Sequence, residues 1–225
     1  MLINSHSGSK IKFIGLDRAP LSGSRLSLSC NQQYFFTSVS LCDKGGRMFR
    51  IDVDKLCWKQ SKNFLKKSTT KFKDDENEYI AYGFVTVQIG KTTYECNAAV
   101  ASTALYLLKS LMRDHIEGSE IAMLPSSIRA IIPDDDMQTV KIRSEAGSES
   151  IDWSIVHKPG NVELVLDDCS IEKVPAGEYH KEVIAFASKI EQFYNDCAPK
   201  AVPEDESLRL GYEAFWNEWR RRIAR

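Results

Sequence analysis

The stretch NAAVASTALYLLKSLMRDHIEG, residues 97–118, decides the fold class, because the spacing of apolar residues changes there from a strand pattern to a helix pattern. Apolar residues recur at every third or fourth position and form one broad face of a helix: Val100, Ala101, Ala104, Leu105, Leu108, Leu111 and Met112. Asn97 suits the N-cap, and Gly118 suits the C′ position beyond the helix end. We therefore predict a long central helix over residues 97–118.

The residues before this helix have the composition of β-strands. Segments rich in β-branched and aromatic residues, separated by turn residues, predict strands at 10–15, 25–30, 34–42 and 47–53, with a hairpin turn at 43–46. Residues 79–96 predict two further strands that join near Gly90. Between these groups, residues 59–78 carry a basic run followed by an acidic run, which is typical of either a loop or a short helix with a polar face.

The residues after the helix predict more strands and then two helices. Strands are expected at 120–125 and 139–144, followed by a hairpin over 150–168 that turns at Pro159–Asn161, and a third strand at 169–175. A helix over 176–199 stops at Pro199, and a polar linker at 200–207 leads to a closing helix. This order predicts an α+β fold with a mainly antiparallel sheet, one central long helix and two C-terminal helices packed on it. We predict a single domain over 1–225, with a division into 1–118 and 119–225 as the alternative.

Size and composition indicate an ordinary globular protein. The chain has 225 residues, of which 43% are hydrophobic and 27% charged, so it can bury a substantial core. The formal net charge is −1, so the molecule as a whole has no electric field that would draw it to nucleic acid or to anionic lipid. Electrostatic recognition must therefore depend on local patches.

The expected location is the cytoplasm. The first residues lack a basic segment followed by a long apolar core, as a secretory signal would have. The longest apolar stretch is interrupted by Lys109 and is too short to span a bilayer. The cysteines are spread widely, which argues against a secreted disulfide scaffold and predicts reduced, mostly buried thiols at Cys30, Cys42, Cys57, Cys96, Cys169 and Cys197.

The C-terminal stretch GYEAFWNEWRRRIAR, residues 211–225, combines aromatic rings with arginines. On a helix its large apolar residues form one narrow stripe: Tyr212, Phe215, Trp216, Trp219 and Ile223. Burial of each large ring is worth roughly 2–3 kcal/mol, so the stripe must be covered. Cations in the last turn complement the helix dipole, and Glu218 and Arg222 have the spacing of a helical ion pair. We predict that this helix docks on the 176–199 helix of its own domain, and a groove on a partner is the alternative.

The two C-terminal segments carry a family resemblance. The sequences YHKEVIAFASKIEQFYNDCAPK at 179–200 and GYEAFWNEWRRR at 211–222 resemble the ends of small bacterial proteins. Some of those proteins are similar to immunity proteins of polymorphic or contact-dependent toxin systems. The resemblance implies a protein that occludes a toxin and needs no catalytic motif. It transfers no functional residue to this chain.

The sequence contains no recognisable catalytic or cofactor motif. It has no nucleophile elbow, no phosphate-binding glycine loop and no clustered cysteine and histidine ligands for zinc. The four histidines, His6, His115, His157 and His180, are expected at the surface. The aspartates at 134–136 and 167–168 could hold Mg²⁺ or act as acid and base, but their places in turns favour local hydrogen bonding. We predict no cofactor, no metal and no catalytic residue, which favours a non-enzymatic protein.

These observations favour a protein that binds another protein, of the immunity type. Acidic segments would face a basic toxin, because complementary charge accelerates association. The predicted partner-binding residues are Asp74, Asp75, Glu76, Glu78, Asp134, Asp135, Asp136, Asp167 and Asp168. No membrane contact is expected.

Two other functions stay open at this level. The lysines at 62–73, interleaved with Phe64 and Phe72, together with the arginines at 220–225, could bind nucleic acid, although the acidic run that follows the lysines argues against it. An enzyme with a site assembled from distant residues would use His157, His180 and Asp168.

Overall fold

The computed structural model describes residues 48–58, 74 and 76–224, all within one compact unit of the chain. These residues form antiparallel sheets and three helices, so the predicted α+β class is confirmed. The strands predicted at 10–15, 25–30 and 34–42, the turn at 43–46 and most of the 59–78 run lie outside the described residues. The division near residue 118 stays untested.

The first sheet has the order β1 (Phe49–Cys57), β2 (Tyr82–Ile89) and β3 (Thr92–Ala99). Both pairs are antiparallel, and β2 and β3 join at Gly90, whose φ of 57° suits glycine in a tight turn. Side chains alternate between a buried face and a polar face, as expected for a sheet covered on one side. The strand pair predicted over 79–96 is confirmed.

The helix predicted over 97–118 is shorter than its apolar spacing suggests. Helix α1 runs from Val100 to Ser110, and its N-cap is Ala99. Asn97 is not the cap, because β3 continues past it and Asn97 pairs with Phe84. The strand passes directly into the helix, and the N–H of Val100 donates to the carbonyl of Ala81 at 3.0 Å. Strand pairing therefore takes three residues that a helical pattern alone assigns to the helix.

The predicted position of the C-terminal end of this helix is also wrong. After Ser110 the chain leaves the helix and forms an antiparallel bridge between His115 and Ile155. Gly118 has a positive φ of 73°, but it lies in a turn and not at a helix end. Every residue of α1 is buried, so α1 is central but not long. A helix buried all round shows no polar boundary from which its end could be predicted.

The remaining strands form three small antiparallel sheets. β4 (Leu124–Pro125) pairs with β7 (Ser150–Ile151), and β5 (Ala130–Pro133) pairs with β6 (Val140–Arg143). The third sheet has the order β10 (Ile171–Pro175), β9 (Asn161–Val165) and β8 (Ser154–Lys158). The predicted hairpin and third strand are confirmed, with Gly160 at a φ of 78° in the turn. Of the strand predicted at 120–125, only the last two residues pair.

Two longer helices complete the fold. Helix α2 runs from Ala176 to Asp196 and buries Val183, Ala187 and Ile190, as predicted, but it ends before Pro199. Helix α3 runs from Glu206 to Ile223. Its N-cap is Asp205, whose carboxylate accepts the N–H of Leu208 at 2.8 Å.

The aromatic stripe of α3 docks within its own domain, but on a different surface from the one predicted. The helix lies against β5, α1 and β6, and Trp219 is fully buried. Gly211 meets β5 so closely that a Cβ there would lie 2.3 Å from the carbonyl oxygen of Ile131. Contact with α2 includes the rings of Tyr194 and Trp216, whose centroids are 4.8 Å apart. The main contacts of α3 are therefore with β5, α1 and β6 and not with α2.

A buried ion cluster joins α3 to α1 and β6. The Glu218 carboxylate is fully buried, lies 3.1 Å from the Lys109 Nζ and accepts the N–H of Val140 at 2.8 Å. Lys109 also donates to the Val140 carbonyl at 2.6 Å. Burial lowers the pKa of Lys109, and the Glu218 carboxylate opposes that effect. Arg222 forms the predicted helical pair with Glu218 at 2.7 Å.

Candidate functional site

The predicted acidic segments lie in three separate places of the fold. In the turn between β5 and β6, Asp134 accepts the N–H groups of Gln138 at 2.7 Å and of Thr139 at 3.1 Å. It also accepts the Thr139 hydroxyl at 2.7 Å, and the side-chain and backbone bonds from Thr139 lower the pKa of Asp134. Asp134 therefore organises the turn, while Asp135 and Asp136 are exposed.

This first turn lies beside the arginine-rich end of α3. The Asn217 amide donates to the carbonyl of Met137 at 3.2 Å, and the Arg221 guanidinium donates to the carbonyl of Gln138 at 2.7 Å. Cationic side chains of the helix thus border the acidic turn, and the opposite charges partly offset each other. The turn at 134–136 is a poor candidate for an acidic binding surface.

The segment around Asp74 is used to hold the chain after α2. The Asp74 carboxylate accepts the N–H of Ala198 at 2.5 Å and pairs with Lys200 at 3.0 Å. Glu76 is exposed and Glu78 is half-buried, whereas Asp75 lies outside the described residues. Asp74 therefore has a structural role in this part of the molecule.

The turn between β9 and β10 presents its carboxylates to solvent. Asp167 accepts the N–H of Asp168 at 2.9 Å, and Asp168 accepts the N–H of Ser170 at 2.9 Å. The side-chain and backbone bonds from Ser170 lower the pKa of Asp168, so this carboxylate is ionised at neutral pH. Both aspartates are exposed, and Cys169 between them and Ser170 has a φ of 63°.

A third carboxylate joins this turn in space. The N–H of Glu117 donates to the Ser154 hydroxyl at 2.9 Å, which places the loop after α1 next to β8. Burial raises the pKa of Tyr94 to about 12, and the charges of Asp167, Asp168 and Glu117 add to this rise. The charges of all three carboxylates therefore act on Tyr94 of β3. The sequence alone did not identify Glu117, because only the tertiary contact with β8 brings it there.

Exposed apolar side chains lie beside these carboxylates. Because His115 bridges to Ile155 and both are buried, the next residue, Ile116, falls on the outer face alongside Ser154. In the sheet of β8, β9 and β10, Ser154 pairs with Val165 and Val165 pairs with Ile171, so these residues lie side by side across the strands. Ile116 is 52% exposed and Ile171 is 53% exposed. We call this surface the acidic–apolar face and define it by Ile116, Glu117, Val165, Asp167, Asp168 and Ile171.

A largely buried histidine–aspartate pair holds the loop that carries Ile116 and Glu117. The Nε2 of His115 lies 2.9 Å from the Oδ1 of Asp152, and both side chains are largely buried. Asp152 also accepts the N–H groups of Gly118 and Met123, each at 3.0 Å. Asp152 therefore holds the loop that contributes Ile116 and Glu117 to the acidic–apolar face.

The residues of the enzyme alternative are not brought together. His157 pairs through Nδ1 with Asp114 at 2.9 Å, near the β8–β9 turn. Asp168 lies beyond the opposite end of β9, and His180 is an exposed residue of α2. Among residues 48–58, 74 and 76–224, no three side chains of the ligand types cluster as a metal site.

In the nucleic-acid alternative, the arginines of α3 would have to bind phosphate, but they already contact other groups of the protein. Lysines 62–73 lie outside the described residues. In α3, Arg220 donates to Asn217 at 3.3 Å, Arg221 donates to Gln138, and Arg222 pairs with Glu218. These arginines are engaged with α3 and the neighbouring turn.

The described cysteines differ in their exposure to solvent. Cys57 is buried, Cys96 and Cys197 are partly buried, and Cys169 is exposed. Burial raises the pKa of Cys96 to about 12. The expectation of mostly buried thiols therefore has Cys169 as its exception.

Comparison with family models, with curated proteins and with solved structures finds no match for this chain. Among the helices of the described ranges, none combines the length and the apolar character that crossing a membrane requires.

Proposed function

We propose that this protein is a non-enzymatic cytoplasmic protein that binds another protein through the acidic–apolar face. The observation that carries the proposal is the exposure of Ile116 and Ile171, which adjoin Glu117 in the loop after α1 and the Asp167–Asp168 turn before β10, respectively. Exposed apolar side chains next to charged groups are typical of protein-binding surfaces.

The chemistry of the face defines its partner. Isoleucine side chains contribute binding energy when a partner excludes water from them, and the carboxylates favour a partner with lysines or arginines around its apolar contact. A toxin that acts on nucleic acid has such a basic surface. Together with the resemblance of residues 179–200 and 211–222 to immunity proteins, this chemistry supports neutralisation of a bacterial toxin by occlusion.

The test is quantitative capture from a nuclease-treated native lysate with the tagged full chain. The double variant I116S/I171S removes the apolar contact, and V202S is the matched control, because Val202 is 75% exposed but lies in the linker before α3. We expect wild type and V202S to capture the same basic protein in equimolar amount. Since a central apolar contact is worth about 1–2 kcal/mol per side chain, I116S/I171S should bind at least about tenfold more weakly.

The test compares the amount of partner captured by wild type and by the variants, so capture by wild type alone does not decide it. Equal capture by wild type and I116S/I171S would place the binding surface elsewhere and refute the proposal. Capture of an acidic protein would contradict the role of the carboxylates.

A further inference from the structure

A cavity of about 460 Å³ opens at the end of the β5–β6 hairpin, apart from the acidic–apolar face. Two arginines and the loop after β6 line it: Arg129, Ala130, Arg143, Ser144, Glu145, Ala146, Gly147 and Ser148. Its volume lies in the range of about 300–1,000 Å³ that is typical of small-molecule sites.

The backbone brings the two arginines to the same cavity. The N–H of Arg129 donates to the carbonyl of Arg143 at 2.8 Å, and Ala130 pairs with Arg143 in the hairpin. The loop then turns back, with the N–H of Ser148 donating to the Glu145 carbonyl at 3.2 Å and Gly147 at a φ of 75°. The concave shape of the site follows from this turn.

Neither guanidinium has a carboxylate of the described residues within ion-pair distance, although Glu145 lines the same cavity. Within the described part of the chain, Arg129 and Arg143 form no ion pair and no side-chain hydrogen bond, and the Ser144 and Ser148 hydroxyls likewise have no protein partner. By contrast, Arg113, Arg209 and Arg222 each pair with a glutamate. A concavity lined by two arginines and one glutamate has a net positive charge, which attracts anions.

We propose that this cavity binds the oxyanion group of a small organic anion, either a phosphate or a carboxylate. The planar guanidinium donates two parallel hydrogen bonds to such groups, and two of them with two serine hydroxyls make a donor set that neutral ligands cannot use as well. The Glu145 carboxylate in the same lining disfavours additional negative charge, so the remainder of the ligand is neutral or cationic.

The experiment follows the backbone amide signals of the full chain by NMR during titration with inorganic phosphate, AMP and acetate. Saturable shifts are expected at residues 129–130 and 143–148. The variant R129Q/R143Q should weaken binding at least about tenfold, because it removes both charge-assisted hydrogen-bond donors. The variant E145Q should tighten binding, which loss of folding could not do.

The control is K141Q, which removes a cation from the same strand outside the cavity lining. K141Q should change the affinity by less than about twofold, as screened surface charges do. Preference for phosphate and AMP over acetate, or the reverse, identifies the anionic group. The proposal fails if none of the three probes gives saturable shifts at millimolar concentration. It also fails if the shifts persist in R129Q/R143Q, or if K141Q weakens binding as much as the double variant.

Discussion

At the residue scale, Glu218 shows how one buried charge holds a helix in place. Its carboxylate is the acceptor for the Val140 N–H and the partner of Lys109 and Arg222. Removing the carboxylate would leave the buried Lys109 ammonium without a counter-charge and the buried Val140 N–H without an acceptor, and both losses are costly. The sequence pattern identified the Glu218–Arg222 pair but not the more important contacts with α1 and β6.

We expect E218A to lower the free energy of unfolding by about 3–5 kcal/mol, measured by urea denaturation. The control is E213A in the same helix, whose carboxylate is 51% exposed and pairs with Arg209, and this change should cost less than about 1 kcal/mol. The double variant K109M/E218L should recover part of the loss, because it removes the buried ammonium together with the carboxylate, whereas the Val140 N–H still lacks its acceptor. Equal losses for E218A and E213A would contradict this role.

At the element scale, the close packing of α3 on β5 is possible because Gly211 has no side chain. Gly211 lies in the helix interior, where alanine is the better helix former by about 1 kcal/mol. However, the Ile131 carbonyl occupies the position that a Cβ would need, 2.3 Å away. The backbone atoms of a strand cannot move aside as the end of a flexible side chain can.

We therefore expect G211A to destabilise the protein by about 1–3 kcal/mol, despite its gain in helix propensity. The matched control is G177A in α2, where a Cβ would meet nothing within 4 Å, and this variant should be neutral or slightly more stable. Thermal unfolding of both variants measures the difference. A stabilised G211A would mean that α3 does not approach β5 this closely.

At the scale of the whole molecule, buried phenols make the fold sensitive to alkaline pH. Burial raises the pKa of Tyr106 to about 12, and burial also raises the pKa of Tyr179 and Tyr194. A pKa raised above its unfolded value of about 10 stabilises the fold below pH 10, and this contribution is lost as pH rises toward about 12. Lys109, whose pKa is lowered, acts in the opposite direction but is a single group against several tyrosines.

We expect the free energy of unfolding to fall as pH rises above about 10, and Y106F to reduce that fall by up to about 2–3 kcal/mol. Urea denaturation at intervals between about pH 9 and pH 11.5 measures it. Absorbance of phenolate in the native protein is the control, since the buried tyrosines should not ionise before unfolding. Native titration of all tyrosines near pH 10 would contradict the prediction.

The acidic–apolar face and the arginine-lined cavity are also features of the whole molecule, because distant segments form each of them. The acidic turn at 167–168 was predicted from charge, and its exposure keeps it in the proposal, whereas Asp74 and Asp134 make local structural bonds. Glu117, Ile116 and the Arg129–Arg143 pair could not be predicted, because each depends on which loop contacts which strand. Charge and turn chemistry are local properties, but a surface is assembled from segments distant in the chain.

The sequence by itself determined the α+β class, the strand pair around Gly90, the hairpin around Gly160 and the existence of the two C-terminal helices. These features follow from local periodicity and turn residues, which act over a few neighbouring positions. Only the tertiary structure decided where α1 begins and ends and on which surface α3 docks, because strand pairing at Asn97 and close packing at Gly211 involve partners far along the chain. Such contacts outweigh propensities of less than about 1 kcal/mol per residue, and the pattern of one segment cannot contain them.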